Sequence, residues 1–301
     1  MTVDAYVLIL SMIGIGALFA RLKLLPEDSA HVLNMIALYV CLPAAVLRHA
    51  PQLQLDVSLL GLVAVPWVIL AVSAALVLLL SRALNWSRGE TAVLLLLLPL
   101  GNTSYLGFPL TQALLGEQAL PYAVVYDQFG SFLILSSYGL WVLATYGGDR
   151  KPTLAGIGKR IIAFPPFIAL VIGFTVMPAQ PPAVVAELLD RLAALLLPLV
   201  TLAIGLGIRL SLPRRELSPL AVGLLTKLLL LPGLVWLLLA LLPLDGDAAR
   251  VAVLETAMPP MITAAALAAS HRLAPRLASA LVGYGILLSL ATLPMWAWLL
   301  A

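Results

Sequence analysis

Two stretches of this chain interrupt long apolar runs with prolines, glycines and small polar residues. The first is Pro99-Leu100-Gly101-Asn102-Thr103-Ser104-Tyr105-Leu106-Gly107-Phe108-Pro109, and the second is Glu255-Thr256-Ala257-Met258-Pro259-Pro260-Met261-Ile262-Thr263. Pro99 and Pro109 each lack a backbone donor, and Gly101 and Gly107 loosen the hydrogen-bond ladder. Pro259-Pro260 ends one helix while suiting the first position of the next. Each stretch therefore reads as a helix broken into halves of roughly twelve residues, about 18 Å each. Where a half-helix begins, its free N–H groups and positive dipole end favour an anion such as a carboxylate. Asn102, Thr103, Ser104, Thr256 and Thr263 can add neutral donors, with Tyr105 and Met258 beside them, and these are the candidate substrate-binding residues. Asn102 can equally turn its carbonyl to a cation.

Three ionisable side chains, Asp127, Lys227 and Glu255, fall inside apolar segments, where a charge costs at least about 2.5 kcal/mol at the centre of a bilayer. Glu255 stands one turn before the Pro-Pro pair. It is expected either to carry a coupling proton or to be a buried structural carboxylate paired with Lys227. Lys227 is expected to snorkel towards the cytoplasm, the alternative being to balance an anionic substrate. Asp127, beside Gln128, reads as a rim residue or a structural hydrogen-bonding carboxylate rather than an ion gate. His31, His49 and His271 fall at segment ends and read as interfacial. None of the three stands at metal-ligand spacing, so neither a metal nor a cofactor is expected. The single cysteine, Cys41, makes no internal disulfide and reads as packing in an apolar helix.

The elements that must hold these residues are membrane helices. The chain has 301 residues, of which 62% are hydrophobic and 10% charged, against about 25% charged in an ordinary soluble domain. The mean hydropathy is +1.09. A soluble surface cannot be built from this composition, and the lipid bilayer is the expected surroundings. The net charge of +3 comes from basic residues set singly between apolar segments, not from a patch, so nucleic acid is not an expected partner. A helix needs about 20 apolar residues to cross the hydrocarbon. Cutting at charged, Pro and Gly-rich breaks gives ten candidates, approximately 5–21, 31–49, 57–81, 90–116, 122–146, 157–178, 184–208, 219–242, 249–271 and 276–300. The first ends in Arg21 and Lys23 rather than in a small-residue cleavage site, and reads as a retained helix.

Positively charged loops stay cytoplasmic. With the N-terminus outside, thirteen of the seventeen basic residues fall in inner loops: Arg21, Lys23, Arg82, Arg88, Arg150, Lys151, Lys159, Arg160, Arg209, Arg214, Arg215, Arg272 and Arg276. Only Arg48, Arg191 and Arg250 fall outside. Both termini are thus expected on the non-cytoplasmic side of the cytoplasmic membrane.

The two halves overlay at one spacing. Pro26 pairs with Pro181 and Pro43 with Pro198, both 155 residues apart, and the same offset carries Gly101-Asn102-Thr103-Ser104 onto Thr256-Ala257-Met258-Pro259. Residues 1–147 read as a first five-helix repeat, 148–156 as a cytoplasmic linker and 157–301 as a second repeat. Five spans is an odd number, so the second repeat enters the membrane inverted, the plan of many secondary transporters. The expected fold is therefore all-α and membrane-embedded, ten helices in a 5+5 inverted repeat with broken, crossing helices four and nine.

At Gly101-Asn102-Thr103 followed by Leu106-Gly107-Phe108-Pro109, and at Ala257-Met258-Pro259-Pro260 followed by Thr263-Ala264, the chain resembles the auxin efflux carrier family, with its plant auxin carriers and bacterial malate or malonate permease-like proteins. The overall plan is similar to the wider bile-acid and arsenite transporter superfamily, which makes a bile-acid-symporter-like, sodium-coupled carrier an alternative. The resemblance implies a scaffold domain from helices one, two, six and seven and a transport domain from helices three to five and eight to ten, moving elevator-fashion. It also implies that the crossed helices hold the substrate, with Asn102 and Pro109 in one crossing element and Pro259 and Pro260 in the other, and that a homodimer forms through the scaffold helices. The family often has glycine where this chain has Ser104.

The function this supports is secondary active transport of a small organic anion, coupled to a proton or sodium ion. An enzyme is disfavoured, since the chain has no HExxH and no Ser/His arrangement. With no Walker motif, ATP-driven pumping is disfavoured too. A channel or a non-transporting receptor is the remaining rival class.

Overall fold

A computed structural model describes residues 3–53, 57–148, 153–207, 216–241 and 244–300. The expected inner-loop residues Arg150, Lys151, Arg209, Arg214 and Arg215, and residues 149–152 of the expected linker, lie outside the described residues. The described chain is helical throughout, and no strand occurs among the described residues beyond one isolated two-residue bridge. In hydrocarbon every backbone N–H and C=O must be satisfied within the protein, and a helix does this segment by segment.

In chain order the helices are α1 (Val3–Leu22), α2 (Ser29–Gln52), α3 (Val57–Ala83), α4 (Arg88–Leu97), α5 (Phe108–Leu115), α6 (Glu117–Gly147), α7 (Leu154–Ile162), α8 (Pro165–Thr175), α9 (Ala183–Gly207), α10 (Leu217–Leu238), α11 (Gly246–Thr256), α12 (Ile262–Ser270) and α13 (Pro275–Leu299). Six of them, α2, α3, α6, α9, α10 and α13, are long and apolar enough to cross a membrane, or seven if α7 and α8 count as one bent span. Large apolar side chains such as Leu79, Leu237 and Trp298 are left exposed along these helices, as a bilayer-facing surface requires.

The expected segments 90–116 and 249–271 each resolve into two shorter helices, α4 with α5 and α11 with α12. The first interruption is shorter than the prolines suggest. A π-helical segment, Thr103–Gly107, leads directly into α5, so Gly107 and Pro109 do not break the helix. Pro109 takes the second position after that wide turn, where its missing donor and its ring are accommodated. The same arrangement recurs in α2, where π segment Ala37–Cys41 precedes Leu42-Pro43, and in α10, where Thr226–Leu230 precedes Leu231-Pro232.

The chain forms two compact units. The first comprises 1–55, 104–124 and 162–208, and the second 56–103, 125–161 and 209–301. In the first, α1 lies against the last half of α9 with backbones in close approach. A methyl group added at Gly16 would stand 2.9 Å from Gly205 Cα. In the second, α4 packs against α3, α12 and the end of α6, and its residues Thr91 to Leu97 are all buried. A capping box starts α4: Ser87 Oγ accepts from the Glu90 amide and the Glu90 carboxylate accepts from the Ser87 amide.

Candidate substrate site

Within the second unit, α4 and α11 both end at the same place. Pro259 and Pro260 carry no N–H, so the peptide after α11 cannot continue a helix, but its carbonyls still accept. Asn102 N–H donates to Pro259 O at 2.7 Å and Met261 N–H donates to Leu100 O at 3.0 Å, making an antiparallel bridge of Gly101 with Pro260. The two extended peptides thus satisfy one another where both are buried in the protein. Glycine suits the closeness of this pairing at position 101: a Cβ there would lie 3.2 Å from Lys227 Nζ, 3.2 Å from Glu255 O and 3.3 Å from Met258 Cβ, so its neighbours would have to give by a few tenths of an ångström.

The polar side chains around the bridge are covered by protein. Asn102, Thr103, Asp127, Lys227, Glu255, Thr256 and Met258 are all buried. Asp127 is 1% exposed, so it is no rim residue. Its Oδ1 accepts from Thr103 Oγ at 2.5 Å and its Oδ2 from Gln128 Nε2 at 2.7 Å. Lys227, expected to snorkel, is instead 1% exposed and donates from Nζ to Thr256 O at 3.1 Å. The last carbonyls of a helix lack intrahelical donors and carry the negative dipole end, so the ammonium finds at the end of α11 the partner it would otherwise seek at the membrane surface. Thr256 Oγ donates to Ala252 O at 2.7 Å and lies 2.9 Å from the Tyr126 hydroxyl. The hydroxyls of Thr103 and Thr256 are therefore engaged within the protein.

Two donor groups at the bridge have no side-chain partner within the protein among the described residues. The buried Asn102 amide nitrogen has no hydrogen-bond partner. The first turn of α12, which follows the bridge, has no side-chain cap at Met261, and Thr263 within it is exposed. Both are donors, and one is a positive helix end. Ser104 and Tyr105 belong to the other unit, where the Tyr105 hydroxyl donates to Asn34 O at 3.4 Å. Gly107 and Pro109 are there too.

Sequence reasoning missed Tyr126, whose hydroxyl meets Thr256, and placed Gln128 beside Asp127 without its bond to the carboxylate. It also missed a cluster in the first unit. His49 is buried rather than interfacial, and lies with Glu117 and Asp190 such that one ligand atom from each falls within 4.8 Å of the others. The positions 49, 117 and 190 are too far apart in sequence for spacing to reveal this.

Residues 1–297 match the family described as "Membrane transport protein". The chain is 26% identical over 293 residues, 96% of this chain and 95% of the relative, to a protein of Methanothermobacter thermautotrophicus named "Uncharacterized transporter". Another relative, "Uncharacterized transporter MJ1031" of Methanocaldococcus jannaschii, is 23% identical over 308 residues, 99% of this chain and 98% of its own. A protein of Rhizobium meliloti named "Putative malonate transporter" is 28% identical over 295 residues, 93% of this chain and 90% of its own. With the match running nearly from end to end, the chain belongs to this membrane transport protein family, that of the auxin efflux carriers, and is a multi-pass transporter and not an enzyme.

Proposed function

We propose that the chain is a secondary active transporter of a small organic anion, a short carboxylate, held at the Gly101–Pro260 bridge and moved by elevator-type alternating access. The observation that carries this is the buried Asn102 amide nitrogen without a partner, beside the uncapped N-terminus of α12. A donor and a positive dipole end at one place suit a carboxylate. The name of the Rhizobium meliloti relative adds malonate as the first substrate to try. The division of the chain supports an elevator, because spans one, two and seven and most of six fall in one compact unit, three, eight, nine and ten fall in the other, and four and five are divided between them. On this reading α4 with α5, and α11 with α12, are the broken fourth and ninth helices of a 5+5 inverted repeat in the cytoplasmic membrane, with both termini outside. Glu255, buried beside the bridge, is the candidate proton carrier.

Counterflow into proteoliposomes, with labelled malonate, malate and indole-acetate in parallel, tests the reading. Exchange of at least one is expected, and Asn102→Ala should reduce it about 10- to 100-fold, the worth of a hydrogen bond to a charged group. Absence of exchange with all three overturns the carboxylate assignment, and flux without counterflow identifies a channel. An inward proton gradient, with a sodium gradient as comparison, tests coupling. Glu255→Gln should flatten the pH dependence of transport, and an unchanged pH profile removes Glu255 from that role.

A further inference from the structure

In the unit made of 1–55, 104–124 and 162–208, a cavity of about 580 Å³ opens among α2, α5 and α9, and His49, Gln112, Glu117 and Asp190 are the polar groups that line it. His49 is 4% exposed, and its Nδ1 has no hydrogen-bond partner. An unsatisfied buried polar group costs about 1–3 kcal/mol, so this imidazole needs a reason to be where it is. One oxygen each of Glu117 and Asp190 and one ring nitrogen of His49 lie within 4.8 Å of one another. Arg48 stands beside them: its Nε donates to Asp190 Oδ1 at 2.8 Å, and its Nη2 is 3.9 Å from Glu117 Oε1. Two carboxylates, one guanidinium and a neutral imidazole leave the cluster with one net negative charge.

We propose that His49, Glu117 and Asp190 bind a divalent transition-metal cation of the zinc class, with Arg48 beside the two carboxylates. Zinc accepts both imidazole and carboxylate ligands, and three protein ligands with a fourth position open is one of its coordination plans. Magnesium and calcium prefer oxygen ligands throughout. Bonds of about 2.0–2.1 Å place tetrahedral ligand atoms roughly 3.4 Å apart. Closing from within 4.8 Å to that spacing asks movement of the Glu117 and Asp190 side chains, which are 57% and 46% exposed, and none of the buried imidazole. The cation ties α2, the start of α6 and α9 to one point. None of this depends on what the protein transports.

The protein, purified in detergent and stripped with a chelator, is titrated with zinc chloride by calorimetry, with magnesium chloride as comparison. One zinc per chain is expected, with no saturable magnesium binding, and zinc should raise the melting temperature of the native chain by mass action. Glu117→Gln and His49→Gln should each weaken zinc binding by about tenfold or more. Glu117 is exposed, so its variant is expected to melt as the native chain does without zinc, and it decides the matter if His49→Gln does not fold. Absence of saturable zinc binding, or zinc binding that Glu117→Gln leaves unchanged, overturns the site.

Discussion

Asp127 is a carboxylate buried among apolar helices with an acceptor bond on each oxygen, from Thr103 and from Gln128. The Thr103 hydroxyl, next to Asn102 in the run that the sequence marks for substrate, is engaged with this carboxylate. Thr103→Val keeps the shape and removes the donor. It should cost about 1.5–3 kcal/mol, the worth of a hydrogen bond to a charged group, read as a lower melting temperature in detergent, while Thr103→Ser should melt near the native value. A Val variant as stable as the native chain would mean that this bond does not hold Asp127. Lys227 follows the same logic from the other sign. Its ammonium caps the carbonyl end of α11 through Thr256 O, and Gly101 leaves room for it. A side chain that satisfies a helix end does not need to reach the membrane surface.

Proline placement is where sequence and element meet. Pro259 and Pro260 interrupt their helix as their order suggests, because two consecutive missing donors cannot be absorbed by one widened turn. Pro43, Pro109 and Pro232 do not, because each follows a five-residue π segment that takes up its missing bond. Composition reveals a proline but not whether the turn before it can widen, so the first interruption looked longer in sequence than it is. The bridge itself was half legible: Gly101 and the proline pair marked its two sides, while the contact of Tyr126 with Thr256 depends on packing between helices distant in sequence. The His49 cluster carried no local signal at all. Glycines show the same limit. Gly14 and Gly16 are alike in sequence, yet a Cβ at Gly14 meets nothing within 4 Å and one at Gly16 meets the backbone of α9. Gly14→Ala should therefore stay within about 1 kcal/mol of native stability, and Gly16→Ala should cost about 1–3 kcal/mol as α1 and α9 are forced apart. Melting curves of the two variants side by side check this, and equal stability would mean that the close approach is not needed.

At the scale of the whole molecule the open quantity is how many times the chain crosses the membrane. Among the described residues, length and hydropathy alone admit six or seven helices, because α4, α5, α11 and α12 are each too short to cross and the apolar part of α1, Val7–Leu22, falls short as well. If α4 with α5 makes one crossing, Ala83 and Gln118 lie on opposite sides, and if α11 with α12 makes another, so do Asp245 and Ser270. If neither pair crosses, each of these couples shares a side. The four positions are exposed, and the native Cys41 is buried, so single cysteines placed there can be read with a membrane-impermeant maleimide on intact cells and on opened ones. With basic loops retained inside, Ala83→Cys and Ser270→Cys should label only after opening, and Gln118→Cys and Asp245→Cys in intact cells. Labelling of Ala83→Cys and Gln118→Cys from the same side would remove a crossing at α4 with α5 and, with it, the inverted repeat. The expected pattern would put both interrupted pairs across the bilayer, each dependent on the Gly101–Pro260 bridge to satisfy backbone that neither lipid nor its own helix can pair.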